Sequence, residues 1–136
     1  MSLFIETSGH GPMPLVLLHG WAMHGGVMAP LTEALASRCT VYVVDLPGHG
    51  RSRDSRVALE PSACAEAILA QVPAQAVWLG WSLGGTIALA AALAWPGRVR
   101  ALGMLCATPK FLRDASWAFG AEASTISRLA RDLETD

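Results

Sequence analysis

The stretch Ala76-Val77-Trp78-Leu79-Gly80-Trp81-Ser82-Leu83-Gly84-Gly85 joins a run of apolar β-formers, Ala76 to Gly80, to an alanine-rich helical segment, Leu83 to Trp95. A serine on so abrupt a strand-to-helix turn is held in a strained backbone. The strain is tolerated because the flanking glycines carry no side chain. Its hydroxyl is left exposed above the sheet, with backbone N–H groups of the next helix behind it. The G-x-S-x-G pattern is short, and in a chain with 13 glycines the segments around it must carry the weight.

Outward from this turn, Leu15-Val16-Leu17-Leu18-His19 and Thr40-Val41-Tyr42-Val43-Val44-Asp45 are continuous apolar runs, not alternating ones. Such texture suits strands covered on both faces, and Ala76 to Gly80 and Val99 to Cys106 share it. Between the runs lie helical patterns: Pro30 to Ser37, Pro61 to Val72, and Leu83 to Trp95, the last stopped by Pro96. Strand and helix in alternation specify an α/β fold, a mostly parallel sheet with helices on both faces and right-handed crossovers. A short first strand near Leu3 to Glu6 is expected at one edge. After Cys106 come a loop, Ala107 to Ser116, and an amphipathic helix on which Ile126, Leu129 and Leu133 share a face. Sheet-forming sequence ends at the fifth strand and leaves that side of the sheet without a neighbour. We therefore expect the chain to be the amino-terminal part of something longer.

The bulk numbers restrict the function classes. The chain has 136 residues, about one domain, 52% hydrophobic against 15% charged, with a mean hydropathy of +0.38. A net charge of −1 gives no reason to expect nucleic acid. Leu83 to Trp95 is too short to span a bilayer. Residues 1–6 lack the basic and long apolar regions of a signal peptide. Cys39, Cys64 and Cys106 are odd in number and without metal-ligand spacing, so buried thiols in a reducing cytoplasm are expected.

His19-Gly20-Trp21 after the second strand, Asp45-Leu46-Pro47-Gly48-His49-Gly50-Arg51-Ser52 after the third and Gly80-Trp81-Ser82-Leu83-Gly84-Gly85 after the fourth come in the order seen in α/β-hydrolases. The resemblance covers roughly residues 1–110. Within its small esterase branch, His19-Gly20-Trp21 together with the serine motif resembles the carrier-protein methyl ester esterases of biotin synthesis. Thr108-Pro109-Lys110-Phe111, with Trp117 and Gly120, is similar to the entry into their helical cap. The resemblance thus divides the chain into residues 1–110, the amino-terminal part of the core, and 111–136, the beginning of a cap.

By that resemblance Ser82 is the nucleophile of a serine carboxylester hydrolase, and the backbone N–H groups of Leu83 and Trp21 are its oxyanion donors. His19 and the Asp45 loop take structural roles. His24 is either a solvated loop residue or part of an acyl pocket. Histidine occurs only at 10, 19, 24 and 49, so nothing after Ser82 can be the general base of the family's Ser–acid–His order. Asp114, Asp132 and Asp136 follow the serine but lie at the cap entry, and the triad acid is assigned to none of them. The chain alone is expected to be inactive. The chemistry is proton transfer and oxyanion stabilisation, which implies no cofactor and no metal. The implied substrate is a small-molecule or carrier-linked ester, with an acyl carrier protein docking at Arg128 and Arg131, aided by Lys110 and Arg113. A solvated helix face balanced by Asp132 and Glu134 is the other reading of those arginines. A short-chain esterase or lactonase, or a non-catalytic binding member of the fold, are the alternatives in function.

Overall fold

The computed structural model describes residues 2–135. Five strands, β1 (Ile5–Ser8), β2 (Met13–Leu18), β3 (Cys39–Val44), β4 (Ala76–Trp81) and β5 (Val99–Leu105), form one sheet in the order β1-β3-β2-β4-β5. Only β1 runs antiparallel, paired with β3 at one edge, as expected for a short first strand. β2 lies in the middle, with Leu15 opposite Val41 on one side and Val77 on the other.

The continuous apolar runs are explained by burial on both faces. Leu15 and Leu17 of β2 point with Cys39, Val41 and Val43 to one face, where Met28 and helix α1 (Ala29–Leu35) cover them through Leu31 and Leu35. Val16, Leu18, Val44 and Trp78 point to the other, where helices α2 (Pro61–Leu69) and α3 (Leu83–Ala94) contribute Ile68, Leu69, Ile87, Ala88 and Ala91. Pro61 opens α2, and the Glu60 carboxylate accepts the Ser62 and Ala63 N–H groups. Those bonds hold the Glu60 carboxyl below its ordinary range. Both α1 and α2 end short of the expected Ser37 and Val72, in tight turns.

Two expectations need correction. β5 is an edge strand, as expected where sheet-forming sequence ends, and it pairs with β4 alone among the described strands; its apolar texture suggests a strand covered on both faces, and that covering is absent. Arg100, Ala101, Leu102 and Leu105 are exposed. Cys106, just past that edge, is exposed too, whereas Cys39 and Cys64 are buried as expected. Burial pushes the Cys64 thiol up to about 11. The amphipathic segment forms helix α4 (Ala123–Thr135), preceded by a loop pinned by Arg113 N–H to Ala121 O at 2.9 Å. Among the described residues no helix is long and apolar enough to cross a membrane.

Candidate active site

Ser82 sits between β4 and α3 with φ 54° and ψ −118°, a left-handed φ that disfavours any residue but glycine. Its N–H donates to Leu105 O at 2.9 Å, and its carbonyl accepts the Gly85 N–H at 2.9 Å. The turn can be this tight because of the glycines beside it. A β-carbon at Gly80 would overlap the Gly84 carbonyl, and one at Gly84 would lie 2.5 Å from Leu18 O and 2.7 Å from His19 O. The amino end of α3 therefore presses directly against the carboxyl end of β2, bringing Gly20 over the serine. A β-carbon on Gly20 would stand 3.3 Å from Ser82 Cβ.

Trp21 follows Gly20 in that loop, and buried polar groups shape it. His19 is fully buried, with Nδ1 2.7 Å from Gly20 O and Nε2 3.0 Å from the Leu46 N. A carbonyl can only accept and an amide N–H can only donate, so Nδ1 carries the proton and Nε2 is the acceptor. The ring is neutral and fully used. Burial holds it below the ordinary histidine range, against the raising effect of the Gly20 carbonyl. Gly20 O and Trp21 N–H belong to one planar peptide, so the His19 bond to the oxygen also aims the N–H the opposite way. Among the described residues neither Trp21 N–H nor Leu83 N–H has a protein acceptor.

The loop after β3 braces this arrangement. Asp45 Oδ1 accepts Gly25 N–H at 2.6 Å, and Oδ2 accepts Arg51 N–H at 2.9 Å. Burial pushes the Asp45 carboxyl up, but those bonds and the Arg51 guanidinium outweigh it and hold the group below the usual carboxylate range. Gly50, at φ 49°, has no room for a β-carbon, which would lie 2.5 Å from Asp45 Oδ2. Arg51 reaches on to Glu6 at 2.6 Å and lies over the Phe4 ring, tying β1 to the same loop.

Trp21, Ser82 and Leu83 line one groove of about 360 Å³, together with Leu59, Phe111, Ile126 and Leu129. The apolar walls come from the loop before α2, the segment after β5 and the stripe of α4. The residues read from sequence as nucleophile and donors are thus brought together. His24 is not among the lining residues. It is exposed and caps the 3₁₀ turn Gly25–Met28 by accepting the Gly26 N–H at 3.1 Å. Asp114 is exposed and paired with Lys110, which holds its carboxyl well below the carboxylate range. Asp136 lies outside the described residues.

A model of the alpha/beta hydrolase family matches residues 15–135. The chain belongs to that family. Among curated proteins it is 50% identical over 134 residues to the pimeloyl-[acyl-carrier protein] methyl ester esterase of Xanthomonas campestris pv. campestris (strain B100), covering 98% of this chain and 52% of that protein. It is also 50% identical over 132 residues to the protein of the same description from Xylella fastidiosa (strain M23), covering 97% and 51%. The chain therefore spans about half the length of these relatives. Among solved structures, an esterase from Exiguobacterium antarcticum superimposes with a TM-score of 0.84 over 98% of this chain and 52% of that one, at 24% identity. That likeness bears on the fold, which is the α/β-hydrolase fold expected from the three strand-end motifs.

Within this hydrolase fold, sequence reasoning missed the groove's far wall. Leu59 carries no motif, and the resemblance gives Phe111 a place at the cap entry and not in the groove. The available signal was the apolar stripe of α4, since Ile126 and Leu129 had no partner assigned in the core.

Proposed function

We propose that the complete protein is a serine carboxylester hydrolase, with Ser82 as its nucleophile. The observation that carries this reading is the strained Ser82 lining an apolar groove, with the N–H groups of Trp21 and Leu83, which have no acceptor among the described residues, on residues of the same groove. Ser82 Oγ attacks the ester carbonyl carbon, and its proton passes to a base. The carbonyl oxygen becomes an oxyanion that the two N–H groups stabilise. Collapse expels the alcohol and leaves an acyl-serine, which water then cleaves to the free acid and Ser82.

Neither interior histidine fits the role of base, because both ring nitrogens of His19 and of His49 hold backbone partners. We place the base and its acid partner in residues beyond this chain. The relatives' description supports a carrier-linked acyl methyl ester as substrate, released as methanol and a free carboxylate. An acyl carrier protein is the corresponding partner. Lys110 and Arg113 are paired locally with Asp114 and Glu122, so the exposed Arg128 and Arg131 of α4 are the better candidates to dock it. Residues 111–136 then form the beginning of a cap over the groove.

The test is Ser82→Ala in the full-length protein, with intact-mass analysis after treatment with a fluorophosphonate probe. Turnover should fall by about 10⁴-fold or more, and the single adduct of the wild type should be absent. An adduct that persists on the variant assigns the nucleophile elsewhere.

A further inference from the structure

Trp21 stands between two peptide planes, and a different histidine grips each. His19 holds the plane before it through Gly20 O. The plane after it contains the Ala22 N–H, whose nitrogen lies 3.0 Å from His49 Nε2. His49 Nδ1 lies 2.8 Å from Pro47 O. The same elimination applies as for His19: the Pro47 carbonyl can only accept, so Nδ1 bears the proton and Nε2 is free to accept Ala22 N–H. The two rings are neighbours, with centroids 5.3 Å apart.

The second plane has little else to hold it. Ala22 is exposed and sits at φ 59°, a left-handed conformation that an L-residue abandons unless something fixes it. Among the described residues the backbone bond that closes the turn around it is Met23 N–H to Gly20 O at 3.3 Å, longer than an ordinary N–H···O bond. Trp21 itself is 38% exposed, so packing holds it only in part.

We propose that His49 is a positioning residue of the oxyanion site: by accepting the Ala22 N–H it fixes the Trp21–Ala22 peptide, and so restricts rotation at Trp21 and steadies the preceding peptide, held by His19, that carries the Trp21 N–H. The inference rests on the reading of Trp21 N–H as an oxyanion donor. It gives a role to a histidine of the loop after β3 that does not itself line the groove. That loop serves as a clamp on the loop after β2. His49 touches no reacting atom, and the effect of losing it falls on the transition state, where the oxyanion exists, not on ester binding.

In the full-length protein, His49→Leu removes the acceptor. Against a p-nitrophenyl ester it should lower kcat about tenfold, less than the 10²–10³ lost with a deleted donor, and leave KM within about twofold. The Ala22 amide should exchange its hydrogen faster in the variant. His49→Gln keeps an acceptor at similar reach and should return kcat to within about threefold of the wild type. Ser82-dependent turnover that His49→Leu leaves unchanged, or a fall in KM-determined binding with kcat intact, overturns the inference alone. Should His49→Leu not fold, a folded His49→Gln with kcat down tenfold also overturns it. Turnover that survives Ser82→Ala overturns the hydrolase reading and the inference with it.

Discussion

At His19, one proton decides whether two loops stay joined. The neutral ring donates from Nδ1 to Gly20 O and accepts the Leu46 N–H at Nε2. Protonating Nε2 would set two N–H groups against each other inside a fully buried site. The folded-state pKa is lowered, chiefly by burial, so below about pH 6.5 the unfolded chain takes up a proton that the folded chain refuses. His19 therefore contributes stability that is present above that pH and is lost as pH falls through the folded value. Asp45 is held low as well, and its contribution is lost only below about pH 4, outside this window. We expect the melting temperature to fall between pH 7.5 and pH 5, and His19→Asn to flatten that slope while costing about 1–3 kcal/mol at pH 7.5. Thermal unfolding of both proteins across the range is the check, and equal slopes would assign the effect elsewhere. Ser82 was legible in the sequence because its requirement is local: glycines at 80 and 84, a strand before and a helix after. The grips of His19 on Leu46 and of His49 on Ala22 each cross 27 positions. No spacing rule reaches that far, although the resemblance did give His19 a structural role.

Helix α4 turns apolar residues to the groove and charged ones to solvent, and in the proposed function it is the element that meets the carrier. Ile126 and Leu129 of its apolar stripe line the groove, Leu129 while still about half exposed; Leu133, also about half exposed, is not among the lining residues. Arg128 and Arg131 lie between those positions, exposed. Exposed charges at an interface rim act mainly on association rate and are screened by salt. Replacing both arginines with glutamate in the full-length protein should lower kcat/KM on a carrier-linked ester about tenfold at low ionic strength. The difference should shrink as salt is added, and a small free ester should be hydrolysed as before. If both esters lose activity equally, or the carrier-linked one loses none, these arginines are a solvated face and not a docking site. Elements were read from the sequence more securely than their surroundings. The apolar runs of β2 and β3 predict strands covered on both faces, and the core bears this out in Val16, Leu17 and Val41. Val99 to Leu105 has a similar apolar texture, and its place at the sheet edge is as expected, yet its faces are uncovered, with Leu102 and Leu105 exposed. An apolar run reports what a strand can bury, not which neighbour covers it. That depends on which helices pack over each face, as α1 does on one side of the sheet and α2 and α3 do on the other.

On the scale of the whole molecule, the sheet gathers three loops at one end: those after β2, β3 and β4 supply Trp21, the Asp45–His49 clamp and Ser82. Parallel strands make this possible, since every carboxyl end opens on the same side and each loop brings one part of the site. Under the proposed mechanism the arrangement contains a nucleophile and its oxyanion donors and no base. Oxyanion stabilisation and base assistance are separable: in serine hydrolases, enzymes stripped of triad function retain a residual rate while losing about 10⁴–10⁶ in turnover. The 136-residue chain should accordingly hydrolyse a p-nitrophenyl ester slower than the full-length protein by at least about 10⁴-fold. Both are to be purified and compared on the same ester, with folding of the short chain checked by circular dichroism. A folded chain as fast as the full-length protein would mean that the base lies within residues 1–136. His24, whose Nε2 makes no hydrogen bond to the described residues, would then be the first histidine to replace.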